Sequence, residues 1–171
     1  MSSTKLSYIE ALGTNWPTVQ ASCAGSGENY EDLVWEAGNA MPSKQDMDTW
    51  ILANTKTAMW KLIQVERDRR KAGGVLVSAI NKWFHSDDGS RIQQLGLVMM
   101  GAGLPTGIMW KCMDGSFIEM SPTIAGAIFQ STAAKDTAIF TAAEQHRAYM
   151  NASSTPETYS YLTGWPAIFG E

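Results

Sequence analysis

The stretch WFHSDDGSRIQQLGLVMMGAGLPTGIMWKCMDGSFIEM, Trp83 to Met120, constrains the fold of this chain more than any other part of it. Its first residues, with Lys82 just before them, make a segment Lys82 to His85 that has the aromatic content of a strand and pairs in expectation with Val75 to Val77 across Ser78 to Asn81. Ser86, Asp87 and Asp88 are all residue types that cap a helix, and the helix they introduce runs from about Ser90 to Met100. It carries Ile92, Leu95 and Met99 on one face. Gly101-Ala-Gly-Leu-Pro105 stops it, because glycine accepts left-handed backbone and proline cannot continue a helix. Asp114-Gly115 then reads as a two-residue type I′ turn between strands Ile108 to Met113 and Ser116 to Met120. On that register Trp110, Cys112, Phe117 and Glu119 share a face.

The flanking segments complete an α+β reading. Leu6 to Ala40 is turn-rich, with short strands expected at Thr18 to Cys23 and Tyr30 to Trp35, hence a small β-hairpin subdomain. Pro42, Ser43 and Asp46 form a capping-box variant that starts a long helix. Met47, Ile51, Ala58, Leu62 and Val65 recur along it at three-to-four spacing beside Trp50, Met59 and Ile63, up to Gly73-Gly74. A helix of about 28 residues is about 42 Å long, enough to join two subdomains or pack against copies of itself. Asn54 and Thr55 interrupt the heptad that a coiled coil requires. Ser121-Pro122 starts the last long helix, ending near Ala152, with Ile124, Ile128, Ile139, Ala143, His146 and Met150 beside Ala125, Phe129 and Phe140. A helical turn follows Thr155-Pro156, and the apolar ending Gly164-Trp165-Pro166-Ala-Ile-Phe must dock on its own domain or on a neighbour. The expected organisation is a β-rich subdomain over 1–42, a connecting helix over 43–73 and an α+β domain over 74–171.

Composition limits function. A net charge of −4 with basic residues scattered outside 61–71 supplies no stripe for phosphates, so nucleic acid is an unexpected partner. The opening Met-Ser-Ser-Thr-Lys lacks the apolar core of a leader, and no run is long enough for a membrane span. The two cysteines, Cys23 and Cys112, match neither zinc nor redox spacing and read as free thiols, with a bridge formed after lysis left open. Seven Trp and ten Met suit both cores and the buried centres of interfaces.

Chemistry-bearing residue types do not assemble into a site. His85, Ser86, Asp87 and Asp88 hold triad residue types, but a triad is gathered by the fold from separate segments, and capping accounts for Ser86 and both aspartates. Asp46 with Asp48, and Asp87 with Asp88, lack the ligand loop of a calcium site. His146 has no metal partner at helical spacing, and Gly96 to Gly103 lacks the Gly-Lys-Ser/Thr ending of a phosphate loop. Arg67, Arg69, Arg70 and Lys71, interleaved with Glu66 and Asp68, read as a solvated helix end or a contact for a protein partner. The expectation is no catalytic, cofactor-binding or metal residue, no cofactor, and no enzymatic activity.

The order Val-Glu-Arg-Asp-Arg-Arg, Gly-Gly-Val, Lys-Trp-Phe-His-Ser-Asp, Ser-Arg-Ile-Gln-Gln-Leu-Gly-Leu, Leu-Pro-x-Gly-Ile-Met-Trp-Lys and Met-Asp-Gly-Ser-Phe, followed by an alanine-rich helix, resembles an uncharacterised domain family of tailed bacteriophages and prophages. It spans about Gln64 to Met150, and Gly164-Trp165-Pro166 is similar to the family's usual ending. The resemblance implies a structural protein of the virion, in the tail, baseplate or tail-fibre attachment region, assembled in the host cytoplasm. Its implied partners are other tail, baseplate or fibre proteins and further copies of itself. A fibre-assembly chaperone absent from the particle, and a capsid decoration or head-fibre protein, are the alternatives.

Overall fold

A computed structural model describes residues 4–38 and 40–171; Met1 to Ser3, part of the opening read above for a leader, lie outside the described residues. The fold is α+β. Among the described residues, four α-helices and three two-stranded antiparallel sheets follow one another. They gather into two compact units, Met1–Leu62 with Arg147–Ser160 and Ile63–His146 with Tyr161–Glu171. These units do not follow chain order, as the three expected stretches do: the long helices α2 (Lys44–Ala72) and α4 (Pro122–Ala152) each contribute to both.

The first unit opens on a helix, α1 (Tyr8–Asn15), where a turn-rich β segment was expected. Ser7 and Glu10 make a reciprocal capping box: Ser7 Oγ accepts from Glu10 N–H at 3.3 Å, and Glu10 Oε2 accepts from Ser7 N–H at 2.8 Å. Strands β1 (Ala21–Cys23) and β2 (Leu33–Trp35) then pair as expected, with Cys23 opposite Leu33. The intervening Gly27 is buried at φ +74°, and a Cβ there would lie 2.6 Å from Ile9, so no side chain fits. Ala11, Leu12, Leu33, Met47 and Ile51 form the core. Aromatic rings enclose it, with Trp16 edge-on to Trp50 at 6.0 Å and Tyr30 against Trp35 at 5.7 Å.

Ser43 caps α2 as expected, its Oγ accepting from Asp46 N–H at 3.1 Å. The buried stripe differs from the expected one. Met47, Ile51, Thr55, Met59 and Ile63 face inward, while Val65 is 66% exposed. Thr55 can occupy that stripe because its hydroxyl donates to Ile51 C=O at 2.8 Å, leaving no buried polar atom unpaired there.

In the second unit β3 (Val75–Val77) pairs with β4 (Lys82–Phe84), Val75 opposite Phe84. Helix α3 is Asp88–Met100, and β5 (Met109–Lys111) pairs with β6 (Phe117–Glu119). The β5–β6 turn corrects the two-residue reading. Gly115 N–H donates to Cys112 C=O at 3.0 Å, Cys112 N–H to Ser116 C=O at 2.8 Å, and only Gly115 has positive φ, at +83°. Met113, Asp114 and Gly115 therefore form a three-residue loop, a tight turn followed by a left-handed glycine. The register moves by one residue, to Met109 opposite Glu119 and Lys111 opposite Phe117, which reverses the faces. Trp110, Cys112, Ile118 and Met120 point into the core beside Val75, Phe84, Leu97, Ala125 and Ile128. Met109, Phe117 and Glu119 point out.

The apolar ending docks on its own unit. Trp165 stacks on His146 with ring centroids 4.9 Å apart, Phe169 packs edge-on to Trp83 at 6.1 Å, and Phe169 N–H donates to Gly73 C=O at 2.9 Å.

Candidate functional site

Of the triad-type residues after β4, the side chains of Ser86 and Asp87 are committed to structure. Ser86 is 2% exposed; its Oγ accepts from Gly74 N–H at 2.9 Å and donates to Lys71 C=O at 2.5 Å. It bolts the strand end to the end of α2 and is not the cap that the sequence suggested. Asp87 alone caps α3, accepting from Ser90 N–H at 3.0 Å and Ser90 Oγ at 2.7 Å, and these bonds hold its carboxyl below the usual range. Asp88 is exposed in the first turn, and His85 offers its backbone C=O to Gln94 Nε2 at 2.7 Å.

The other candidates are likewise held. Asp46 accepts from Ser43 Oγ, and Asp48 accepts from Tyr8 and pairs with Lys44 at 2.8 Å. Among the described residues, no group of three or more His, Cys, Asp or Glu is placed to hold a metal ion. Burial holds the His146 imidazole below its ordinary pKa beneath Trp165. Both cysteines are free, and burial pushes the Cys112 thiol up.

The basic end of α2 is not the solvated cluster that was expected. Glu66 and Arg70 are 7% and 6% exposed, and Arg70 Nε donates to Glu66 Oε1 at 2.6 Å. Arg70 Nη1 reaches on to Pro166 C=O and Glu171 Oε2, both at 3.0 Å. Arg69 grips Glu66 at 2.7 and 2.8 Å, and this pairing leads in holding the Glu66 carboxyl low. Arg70 thus clamps a tail about a hundred residues away in sequence, where a cation at a helix C-terminus would ordinarily face water.

Besides Val65, Met109, Phe117 and Phe140, the unit leaves an apolar face open on α3 and α4. Ile92, Leu95 and Met99 do share one side of α3, but it is the outer side: Ile92 is 72% exposed and Met99 79%. The inner side is held by Leu97 and by polar anchors. Gln94 bonds His85 C=O, while Arg91 donates to Ser86 C=O at 2.5 Å and Lys71 C=O at 3.1 Å. Those anchors fix the helix rotation and turn the aliphatic ridge to solvent. Beside the ridge lies an open groove of about 330 Å³, lined on the α4 side by Phe129, Thr132, Ala133 and Asp136. Phe129 is half exposed, and Arg91 makes a two-point ion pair with Asp136 at 2.5 and 2.9 Å. The Thr132 hydroxyl is the one buried side-chain polar atom without a partner among the described residues. Sequence periodicity found the ridge; nothing local in the sequence joins it to Phe129 and Thr132.

The arrangement exposes aliphatic and aromatic side chains together beside an ion pair whose charges cancel. Residues 54–163 match a family described as a domain of unknown function, DUF4376, and the chain belongs to that family. The matched region includes α3, both hairpins of the second unit and the whole of α4. No curated protein and no solved structure matches the chain.

Proposed function

We propose that this chain is a non-enzymatic structural protein of a tailed-bacteriophage virion, acting through protein–protein interfaces in the tail, baseplate or tail-fibre attachment region. The exposed ridge Ile92, Leu95 and Met99 with Phe129 carries the interface part of the reading, because a soluble unit gains nothing from leaving such side chains together in water. The order of motifs from Gln64 to Met150, similar to a domain of tailed phages, carries the virion part. Ser86, Asp87, Asp46 and Asp48 are engaged in a bolt, caps and an ion pair, which favours a structural role.

Mass spectrometry of purified particles tests the proposal. The expected result is the intact chain in mature virions, recovered with separated tails. Its absence from particles overturns the proposal; absence combined with rescue of soluble fibre trimers on co-expression identifies an assembly chaperone, and recovery with heads alone identifies a decoration or head-fibre protein.

A further inference from the structure

We infer that the occupant of the α3–α4 face is a second copy of the same face, in a two-fold dimer. This rests on reading the face as a docking surface, but not on where the chain resides. A groove alone accepts any apolar ridge. Here one wall of the groove is itself a ridge: Ile92 and Leu95 line it opposite Phe129, Thr132 and Ala133, and Met99 continues the ridge along α3 on the same unit. A two-fold axis brings identical patches together, so the ridge of each copy enters the groove of the other.

Charge favours the same occupant. The charged side chains lining the groove are Arg91 and Asp136, and they are paired with each other. The groove therefore has no net charge to repel its copy, although the chain as a whole carries −4. Gly96, on the ridge between Leu95 and Met99, meets no atom within 4 Å of where a Cβ would stand, which leaves room for a partner helix to approach closely. The four exposed side chains supply on the order of 500 Å² of apolar surface, the centre of an interface that needs about 800 Å² per partner, with Gln93, Met100 and Ala133 as rim.

Sedimentation and light scattering of the purified full chain, from low micromolar to sub-millimolar concentration, test the inference without any particle. The expected result is a reversible monomer–dimer equilibrium that Leu95→Asp shifts to monomer with an unchanged far-UV spectrum. Gly96→Leu gives an independent reading: the added side chain meets nothing inside the monomer and improves helix propensity, so it raises monomer stability while abolishing the dimer. Met109→Asp, on the outer face of β5–β6, leaves the dimer intact. A wild-type chain that stays monomeric throughout overturns the inference, as does a dimer that survives either α3 substitution. Presence or absence in virions bears on the proposed function alone.

Discussion

Arg70→Met removes a guanidinium from the most buried ion-pair network in the second unit while keeping an unbranched stem in its place. Arg70 makes four contacts through its guanidinium: Glu66 at 2.6 Å, Pro166 C=O at 3.0 Å, and the Glu171 carboxylate at 3.0 and 3.3 Å. Breaking one side of a buried pair costs about 3–5 kcal/mol, because the remaining charge stays buried. Two features lower that figure. Glu66 keeps both bonds from Arg69, and Glu171 is partly exposed, so its carboxylate is rehydrated on release. The Pro166 carbonyl, left without its donor, adds about 1 kcal/mol. A loss of about 2–4 kcal/mol is expected, read by urea denaturation with circular dichroism. Arg69→Met, at a half-exposed side chain gripping the same Glu66, is expected to lose about 1 kcal/mol or less. Hydrogen exchange supplies a second reading: the Phe169 amide bonded to Gly73 C=O loses protection in Arg70→Met and retains it in Arg69→Met. Equal losses for the two variants, or a loss below about 1 kcal/mol for Arg70→Met, would refute the clamp.

Three further substitutions probe the same unit. Lys135 donates to Gly74 C=O beneath Trp83, facing Arg70, Arg91, Asp136 and Glu171; burial first, then Arg70, lowers its pKa to about 8. Between that value and its ordinary 10.5 the unfolded chain binds more protons, so this group makes stability rise with pH. Half-exposure screens the gain to about 1 kcal/mol, and Lys135→Met should abolish it in pH-dependent denaturation. The raised Cys112 thiol works in the opposite direction above pH 9, so the difference between wild type and variant is the quantity to follow. Ser86→Ala leaves the buried Gly74 N–H without its acceptor and should cost about 1–3 kcal/mol, with retained stability contradicting the bolt. Thr132→Val deletes a buried unpartnered hydroxyl at nearly constant shape and should raise stability by up to about 1 kcal/mol; a loss would show that the hydroxyl has a partner in solution.

Local rules located most elements, and their limits are visible residue by residue. Ser43, Asp87 and Ser121 cap their helices because side-chain hydrogen bonds there depend only on neighbours a few residues away. The same rule was present for α1 in Ser7 and Glu10, a capping box obscured by the turn-forming residues that follow it. Asp114-Gly115 marked a hairpin but not its register, since a two-residue and a three-residue loop both accept that pair. The alternation Ile108, Trp110, Cys112 against Ile118 and Met120 decides the register, as it places the large apolar side chains on one face. Two features were beyond local reading. Arg70 is buried by a segment about a hundred residues later, and the outward rotation of α3 is set by Arg91 and Gln94 bonding carbonyls of an adjoining loop. Periodicity shows that Ile92, Leu95 and Met99 share a side, not which side the rest of the chain covers.

The central claim is that this outward face builds the protein into a larger assembly. Quantitative mass spectrometry of particles grown with Leu95→Asp in place of the wild-type chain tests it most directly. The account predicts a variant that folds and accumulates in the host cytoplasm yet is missing from virions. Incorporation of Leu95→Asp at the wild-type level would contradict it.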